Sequence, residues 1–446
     1  MTAPIPLIPA DQLLTLLVQL TLLLTLAFGL GRLATRLSLP SVVGELIAGV
    51  LLGPSLLGHL SPRVANWLVP PDPGQMHLLD TIGQLAVVLL VGITGIQLDL
   101  RVVRRRRTAA VKISLCGLLI PLAAGIGVGF LLHGTLLPGG PGRLVFALFL
   151  GVAMSVSAIP VIAKTLSDMN LLHRDIGQLT LTAGMVDDAV GWVLLSVVSA
   201  LAGARVATSA GLSVLYLAIF VALAAVLGRR LVARALTIAA RLGDQGPPLT
   251  VAVIIILIGA TITHALGMEA VFGAFVAGVL ISSAGGAITS RLAGLRSVTL
   301  SVLAPIFLAT AGLRVDLTAL RHLDVLLAAI IVLAVAILGK FAGAYLGARL
   351  SRLSRWEGLA LGAGMNARGV VEVVVAMVGL RIGVLTTESY TIVVLVAIVT
   401  SLMAPLVLRT AMRHVEHNAD ERLRAEEYDR IWSGRPSRPR SSEAET

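Results

Sequence analysis

Long apolar runs follow one another through almost the whole chain, separated by short links rich in arginine. A helix needs about 20 mainly apolar residues to cross the hydrocarbon of a bilayer. Runs of that kind stand at about 9–35, 40–57, 77–98, 109–133, 144–168, 174–202, 209–228, 248–266, 268–285, 296–316, 323–350, 356–380 and 388–412. They predict thirteen membrane helices, with ends good to about four residues. The runs at 40–57 and 268–285 are short and glycine-rich. Placed end to end, the thirteen leave no room for a soluble domain before about residue 413. Beyond it, 419–432 predicts a short surface helix, and the Pro- and Ser-rich stretch Ser433 to Thr446 predicts disorder. No basic residue precedes the first run, so it predicts a spanning helix rather than a cleaved leader.

Composition agrees with that pattern. Of 446 residues, 57% are hydrophobic and 13% charged, and the mean hydropathy is +0.94. Too few polar residues are present to cover the surfaces of soluble domains. A soluble enzyme, a disordered chain and an ordinary nucleic-acid binder are excluded. Aromatics make up only 4%, and the runs are Leu, Val, Ala and Ile with interspersed Gly. That suits an all-α polytopic protein rather than a β-barrel with aromatic girdles. Cys116 is the lone cysteine, so no internal disulfide forms.

The net charge of +11 sets orientation instead of marking a nucleic-acid partner. With the N-terminus outside, the inner links hold Arg32 and Arg36, Arg101 and Arg104–Arg107, Arg174, then Arg229, Arg230, Arg234 and Arg241. Arg291 and Arg296, then Arg349, Arg352 and Arg355, and the arginine-rich tail continue the series. The outer links hold only Arg63, Arg143, Arg205, Arg314, Arg321 and Arg381. One missed helix would scramble this asymmetry, so it predicts an outer N-terminus and a cytoplasmic C-terminus. Thirteen helices divide into two six-helix halves of opposite orientation, about 9–202 and 248–412, with 209–228 as a linker helix. This inverted-repeat plan is common in secondary transporters. Residues 1–412 then form the transmembrane domain and 413–446 a short cytoplasmic tail.

Charges inside the apolar runs cost several kcal/mol each and mark function. Asp187 and Asp188 sit mid-run in TAGMVDDAVGWVLLSVV. Adjacent residues are about 100° apart around a helix, so one carboxylate can bind a transported ion while the other meets a structural partner. A buried pair that only fixes packing is the plainer alternative. Lys340, one of three lysines, lies in LAVAILGKFAGAYLGARL with about ten residues on either side. That depth favours a carboxylate partner over a lysine reaching for the interface. Two runs are interrupted. In GVAMSVSAIPVIAKTL, Pro160 removes a backbone bond near Ser155 and Ser157. In GAGMNARGVVEV, Asn366, Arg368 and Gly369 break a helix one turn before Glu372. The breaks fall in the fifth helix of each half, which points to a transport site. A simple kink is the alternative for the proline alone. His264 and Glu269 flank a tight outer turn in a structural role, and Arg314 and Asp316 are expected to pair locally. No P-loop, nucleophile elbow, dinucleotide loop or metal-ligand spacing appears, so the expectation is a gradient-driven transporter without enzyme activity or cofactor.

The segments PVIAKTLSDMNLLHRDIGQLTLTAGMVDDAVGWVLL and GMNARGVVEVVV resemble the second monovalent cation–proton antiporter family. That branch includes plant cation/H+ exchangers, glutathione-gated K+ efflux proteins and NapA-type Na+/H+ antiporters. GELIAGVLLGPSLLG and GMEAVFGAFVAGVLI are also similar to its phrases, and the resemblance covers about residues 10 to 412. It implies a thirteen-helix fold with two crossing broken helices, a six-helix core, a dimerisation domain and a homodimer in a bacterial plasma membrane. By motif Asp188 matches the carboxylate that takes cation or proton. Asp187 matches its neighbour, which pairs with the lysine matching Lys340. Ser157 stands where the family often has Thr, and Ala158 where it often has Ser. Asn366 and Arg368 match an Asn-Thr-Arg-Gly motif, with Ala367 replacing Thr.

Residues and resemblance together predict exchange of Na+ or K+ for H+ by alternating access. No metal is expected beyond the transported cation at Asp188. Asp187, Asp188 and Lys340 allow more than one proton per cation, which predicts electrogenic exchange. A passive cation channel would need a continuous pore and a gate. An exporter of organic solutes would want a roomier, aromatic-lined site.

Overall fold

The computed structural model describes residues 8–416 apart from 38, 71, 98–106, 133–135, 138–141, 159–160, 163–164, 167–168, 170, 172–173, 204–207, 243–245, 267 and 286–289. Pro160, the arginines at 101 and 104–106 and the predicted 419–432 helix lie outside the described residues. All regular structure among the described residues is helical.

The principal helices are α1 (Ala10–Arg36), α2 (Ser41–Leu52), α3 (Pro73–Gln97), α4 (Arg107–Leu131), α5 (Gly142–Ser155) and α6 (Asp175–Gly203). Then come α7 (Thr208–Leu223), α8 (Arg229–Arg241), α9 (Gly246–Ala265), α10 (Ala270–Ser282) and α11 (Ala304–Gly312). The chain closes with α12 (Leu323–Leu350), α13 (Arg355–Met365), α14 (Val370–Arg381) and α15 (Thr387–Met412). Each of the thirteen predicted runs contains one of these helices, except 356–380, which holds both α13 and α14. By length and apolarity nine spans qualify among the described residues, or ten when α13 and α14, bent by 47°, count as one. The thirteen crossings expected exceed that number. The difference lies in α5 and α10, of 14 and 13 residues, which are shorter than a bilayer-spanning helix, and in α7, whose 16 residues run on through a π turn.

The predicted linker helix ends too early. A π turn, Ala224–Gly228, carries α7 into α8. The arginines from Arg229 end the apolar run but not the helix, because Val232, Leu236 and Ala239 keep a buried face of helical period. Side-chain caps set other ends. Ser354 and Glu357 form a reciprocal cap at the start of α13, and Thr386 and Ser389 do so for α15.

Packing follows a repeated scheme. α1 lies on α2 as α9 lies on α10, and α4 on α5 as α12 on α13. α3 meets α10 as α11 meets α2. Two packing groups result: a panel of α1–α3 with α9–α11, and a core of α4–α6 with α12–α15. The crossing of α4 and α12 sits at the centre of the core. There Gly339, Gly343 and Gly347 recur every fourth residue, so one face of α12 is nearly bare. A Cβ at Gly343 would stand 2.4 Å from the Cys116 carbonyl oxygen. Without apolar solvent exclusion to draw helices together in lipid, such close backbone contact supplies the packing. It also brings Lys340, on the same helix, into the core.

Two ends of the bundle can be told apart by their polar contacts. One holds Ser55, Asp80, Glu269, Arg314 and Arg381. The other holds Lys112, Arg174, Arg291 and the stacked rings of Trp356 and His414.

Candidate functional site

The first interrupted helix stops at Ser155, and Val156–Ala158 are not helical. α5 therefore ends inside the protein with its last carbonyls unpaired by its own backbone. Two cations meet them. Arg368 donates from Nη1 to Ala153 O at 3.1 Å and from Nη2 to Met154 O. Lys340 donates from Nζ to Ser155 O at 2.5 Å. Positive charge belongs at a helix C-terminus, where the dipole and free carbonyls are negative. This is the structural meaning of Ser155, Arg368 and Lys340.

The second interruption, Asn366–Gly369, separates α13 from α14. It crosses the first directly: Ala158 N–H donates to Ala367 O at 3.1 Å. Gly369 is held within reach of Val161; a Cβ there would stand 2.7 Å from its Cγ2. Ser401 of α15 donates to the Arg368 carbonyl. Glu372, in the first turn of α14, accepts from Arg368 Nη1 at 3.0 Å, and both side chains are buried.

Asp187 lies on α6 and is fully buried. Its Oδ2 accepts from Lys340 Nζ at 2.7 Å. Its Oδ1 accepts from Ser114 of α4 at 2.6 Å. Ser157 lies 3.1 Å from Oδ2 and 2.9 Å from Met365 O. A hydroxyl has one hydrogen, so Ser157 chooses between the carboxylate and the second break. Four elements thus meet at one carboxylate.

Asp188, the next residue, is equally buried, and neither of its oxygens has a hydrogen-bond partner. Asn366 is alike: both its side-chain oxygen and nitrogen are buried and unpartnered. A buried carboxylate with no donor is costly.

The structure brings Asp187, Lys340, Ser155, Ser157, Asn366, Arg368, Gly369 and Glu372 together around the crossing. Ser114 was not foreseen. An isolated Ser in an apolar run carries no sign of its partner. Ser114→Ala is expected to cost about 1.5–3 kcal/mol, as for a hydrogen bond to a charged group. Melting temperature should fall while cation-driven proton movement persists. The local Arg314–Asp316 pair is not formed. Asp316 caps the following turn, accepting from Thr318 N at 2.9 Å and Thr318 Oγ1 at 2.6 Å. Arg314 pairs instead with Asp80 of α3. Arg381 of α14 pairs with Glu269 and donates to Gln84 of α3 at 2.8 Å.

Comparison with known proteins gives this arrangement a context. A family described as sodium/hydrogen exchanger, transmembrane, matches residues 21–414. The chain is 32% identical over 404 residues to the Na(+)/H(+) antiporter NhaS4 of Synechocystis sp., covering 90% of this chain and 98% of that protein. It is 31% identical over 414 residues to cation/H(+) antiporter 17 of Arabidopsis thaliana, covering 90% of this chain and 49% of that one. It thus spans about half the length of the plant relative. Similarity of fold reaches the sodium proton antiporter MjNhaP1 from Methanocaldococcus jannaschii, with a TM-score of 0.64 at 16% identity, covering 90% and 97% of the two chains. The matched stretch takes in both helix breaks, the Asp187–Asp188 pair and Lys340, and the chain belongs to the sodium/hydrogen exchanger family.

Proposed function

We propose that this integral membrane protein exchanges a monovalent cation, Na+ or K+, for protons by alternating access, with Asp188 as the shared site. The observation that carries the reading is a fully buried carboxylate without a donor beside a neighbour that has three. Asp187 is occupied by Lys340, Ser114 and Ser157, so it holds the crossing together. Asp188 is left for the ion. Proton and cation exclude one another there because each alone neutralises the charge. Relatives named as Na(+)/H(+) and K(+)/H(+) antiporters support both cations.

The same reading makes the core the moving unit and the panel the fixed one, with the halves 9–202 and 248–412 as inverted repeats. The repeated pairing of helices supports it. The panel is the dimerisation surface of a homodimer. On this reading Lys112, Arg174 and Arg291 face the cytoplasm and the Arg381 end faces the outside of a bacterial plasma membrane; the arginine-rich links support that orientation. Lys340 releasing a proton when the crossing moves would make exchange electrogenic, each net charge feeling about 2.3 kcal/mol per 100 mV.

The deciding experiment is proton-coupled uptake of radiolabelled sodium and rubidium into proteoliposomes. Cation uptake that alkalinises the lumen in step, as protons leave, is expected. Cation movement without proton movement would overturn the reading in favour of a channel, and no cation movement would leave a solute exporter.

Arg381 joins α14 of the core to α10 and α3 of the panel. It therefore closes the outer side in this conformation. Glu269→Gln removes the charge partner, and the outward-open form should gain population. An impermeant thiol reagent added outside should then label a cysteine placed at Ser199 faster than in the parent. An unchanged rate would count against the closure.

A further inference from the structure

Beyond Asp188, the outer half of α6 carries a line of polar groups that the crossing does not use. Trp192, Ser196 and Ser199 follow Asp188 at intervals of four, four and three residues. At about 100° per residue they fall within roughly 80° of one another, on one face. Each is buried, at 1%, 1% and 7% exposure. The indole nitrogen and both hydroxyls have no hydrogen-bond partner.

Hydroxyls elsewhere in the bundle behave differently. Thr94, Thr180, Thr182 and Thr400 each donate to the carbonyl four residues back, at 2.7–3.0 Å. That bond is open to any Ser or Thr in a membrane helix, yet Ser196 and Ser199 do not make it. Thr165, Thr299 and Thr310 are also unpartnered, but they lie on separate elements and form no line.

The face has a direction. Trp192 packs on Phe275 of α10, ring centroids 6.4 Å apart. It therefore looks from the core onto the panel. Val190, about 160° away from Asp188 and 120° from Ser196 around the helix, is 37% exposed on the outer surface of the bundle. From Asp188 to Ser199 is eleven residues, about 16 Å along a helix. Half the hydrocarbon thickness is roughly 15 Å. The line thus reaches from the carboxylate to the outer boundary, along the seam between core and panel.

We infer that Trp192, Ser196 and Ser199 line the outer access file for Asp188: when the seam opens outward, the two serine hydroxyls, which donate and accept, pass the proton and replace water around the cation, while the Trp192 indole, a donor only, hydrogen-bonds the water of the file. Their polar atoms stay unpaired in the closed form because their partners are solvent and ion in the open one. The inference rests on Asp188 being the exchange site. It adds which residues set the rate of reaching that site from outside.

The test uses the full chain with Cys116→Ala as background, in right-side-out vesicles. Ser196→Cys should react with an impermeant thiol reagent added outside, and the reaction should inhibit exchange. Val197→Cys, on the opposite face, should not react. Ser196→Ala combined with Ser199→Ala should slow exchange about tenfold, the weight of one hydrogen bond on the barrier, with an unchanged melting temperature. Absence of labelling at 196, or the parental rate in the double alanine variant, overturns the file. Asp188→Asn is measured in parallel. If it retains exchange, the site reading fails; if it is inactive while the alanine variant is not slowed, only the file fails.

Discussion

Asp188→Asn is expected to reduce cation-driven proton movement to the level of empty vesicles while the melting temperature holds or rises. The two halves of this expectation have one cause. Neither oxygen of Asp188 accepts a hydrogen bond, and the side chain is fully buried. Replacing it with an isosteric amide removes no contact. It does remove a charge whose burial is costly, so stability gains if it changes. The neighbouring cluster of Asp187, Lys340, Ser114 and Ser157 keeps every bond it has. Transport, in contrast, needs a group that is neutralised in turn by a proton and by a cation. An amide carries no charge to neutralise. The paired measurement is dequenching of a pH dye on adding Na+ or K+ to vesicles, with thermal melting of the same preparation. Normal dequenching would sink the assignment. Inactivity with a large loss of melting temperature would show that Asp188 holds structure instead.

Much of this site is written in the sequence because lipid makes polarity conspicuous. Asp187, Asp188 and Lys340 stand out from apolar runs, and an intramembrane charge needs a partner or a task. The two interruptions are visible by the same contrast. Which carboxylate takes which role was available only from the resemblance. In the structure the two differ by the 100° between adjacent residues: Asp187 turns to α4 and α12, and Asp188 does not, which supports the proposed division of roles.

The part that could not be read depends on contacts between distant segments. Arg368 caps the end of α5, about two hundred residues earlier. Nothing local in GMNARGVVEV announces that partner. Ser114 is one hydroxyl among many, and its bond to Asp187 depends on where α4 crosses α6. Arg314 shows the opposite error. Its nearest acid in sequence, Asp316, is already engaged by the turn that follows it, so the guanidinium reaches Asp80 instead. Helix ends fail for a related reason. Apolarity stops at Arg229, but the helical period of buried residues runs on to Ala239.

The Lys340–Asp187 pair carries the second large effect. Lys340→Ala leaves the Asp187 carboxylate buried with two hydroxyls and no countercharge, and strips Ser155 O of its donor. Removing one member of a buried ion pair typically costs about 3–5 kcal/mol. Melting temperature should therefore fall well below that of any surface Arg→Ala variant. The double variant Asp187→Asn/Lys340→Gln should recover most of the loss, because two amides can bond each other and Ser155 O without a buried charge. What it does to transport separates two roles. If the pair only locks the crossing, the double variant remains stable and electrogenic. If Lys340 gives up a proton when the crossing moves, the double variant is stable but electroneutral or inactive. The second outcome is expected, since a lysine, unlike an arginine, can lose its proton in a desolvated site. The readout is membrane current from protein reconstituted on a solid-supported membrane, beside the melting temperature. Undiminished current in the double variant would refute proton release by Lys340, and an unchanged melting temperature in Lys340→Ala would refute the energetic weight of the pair.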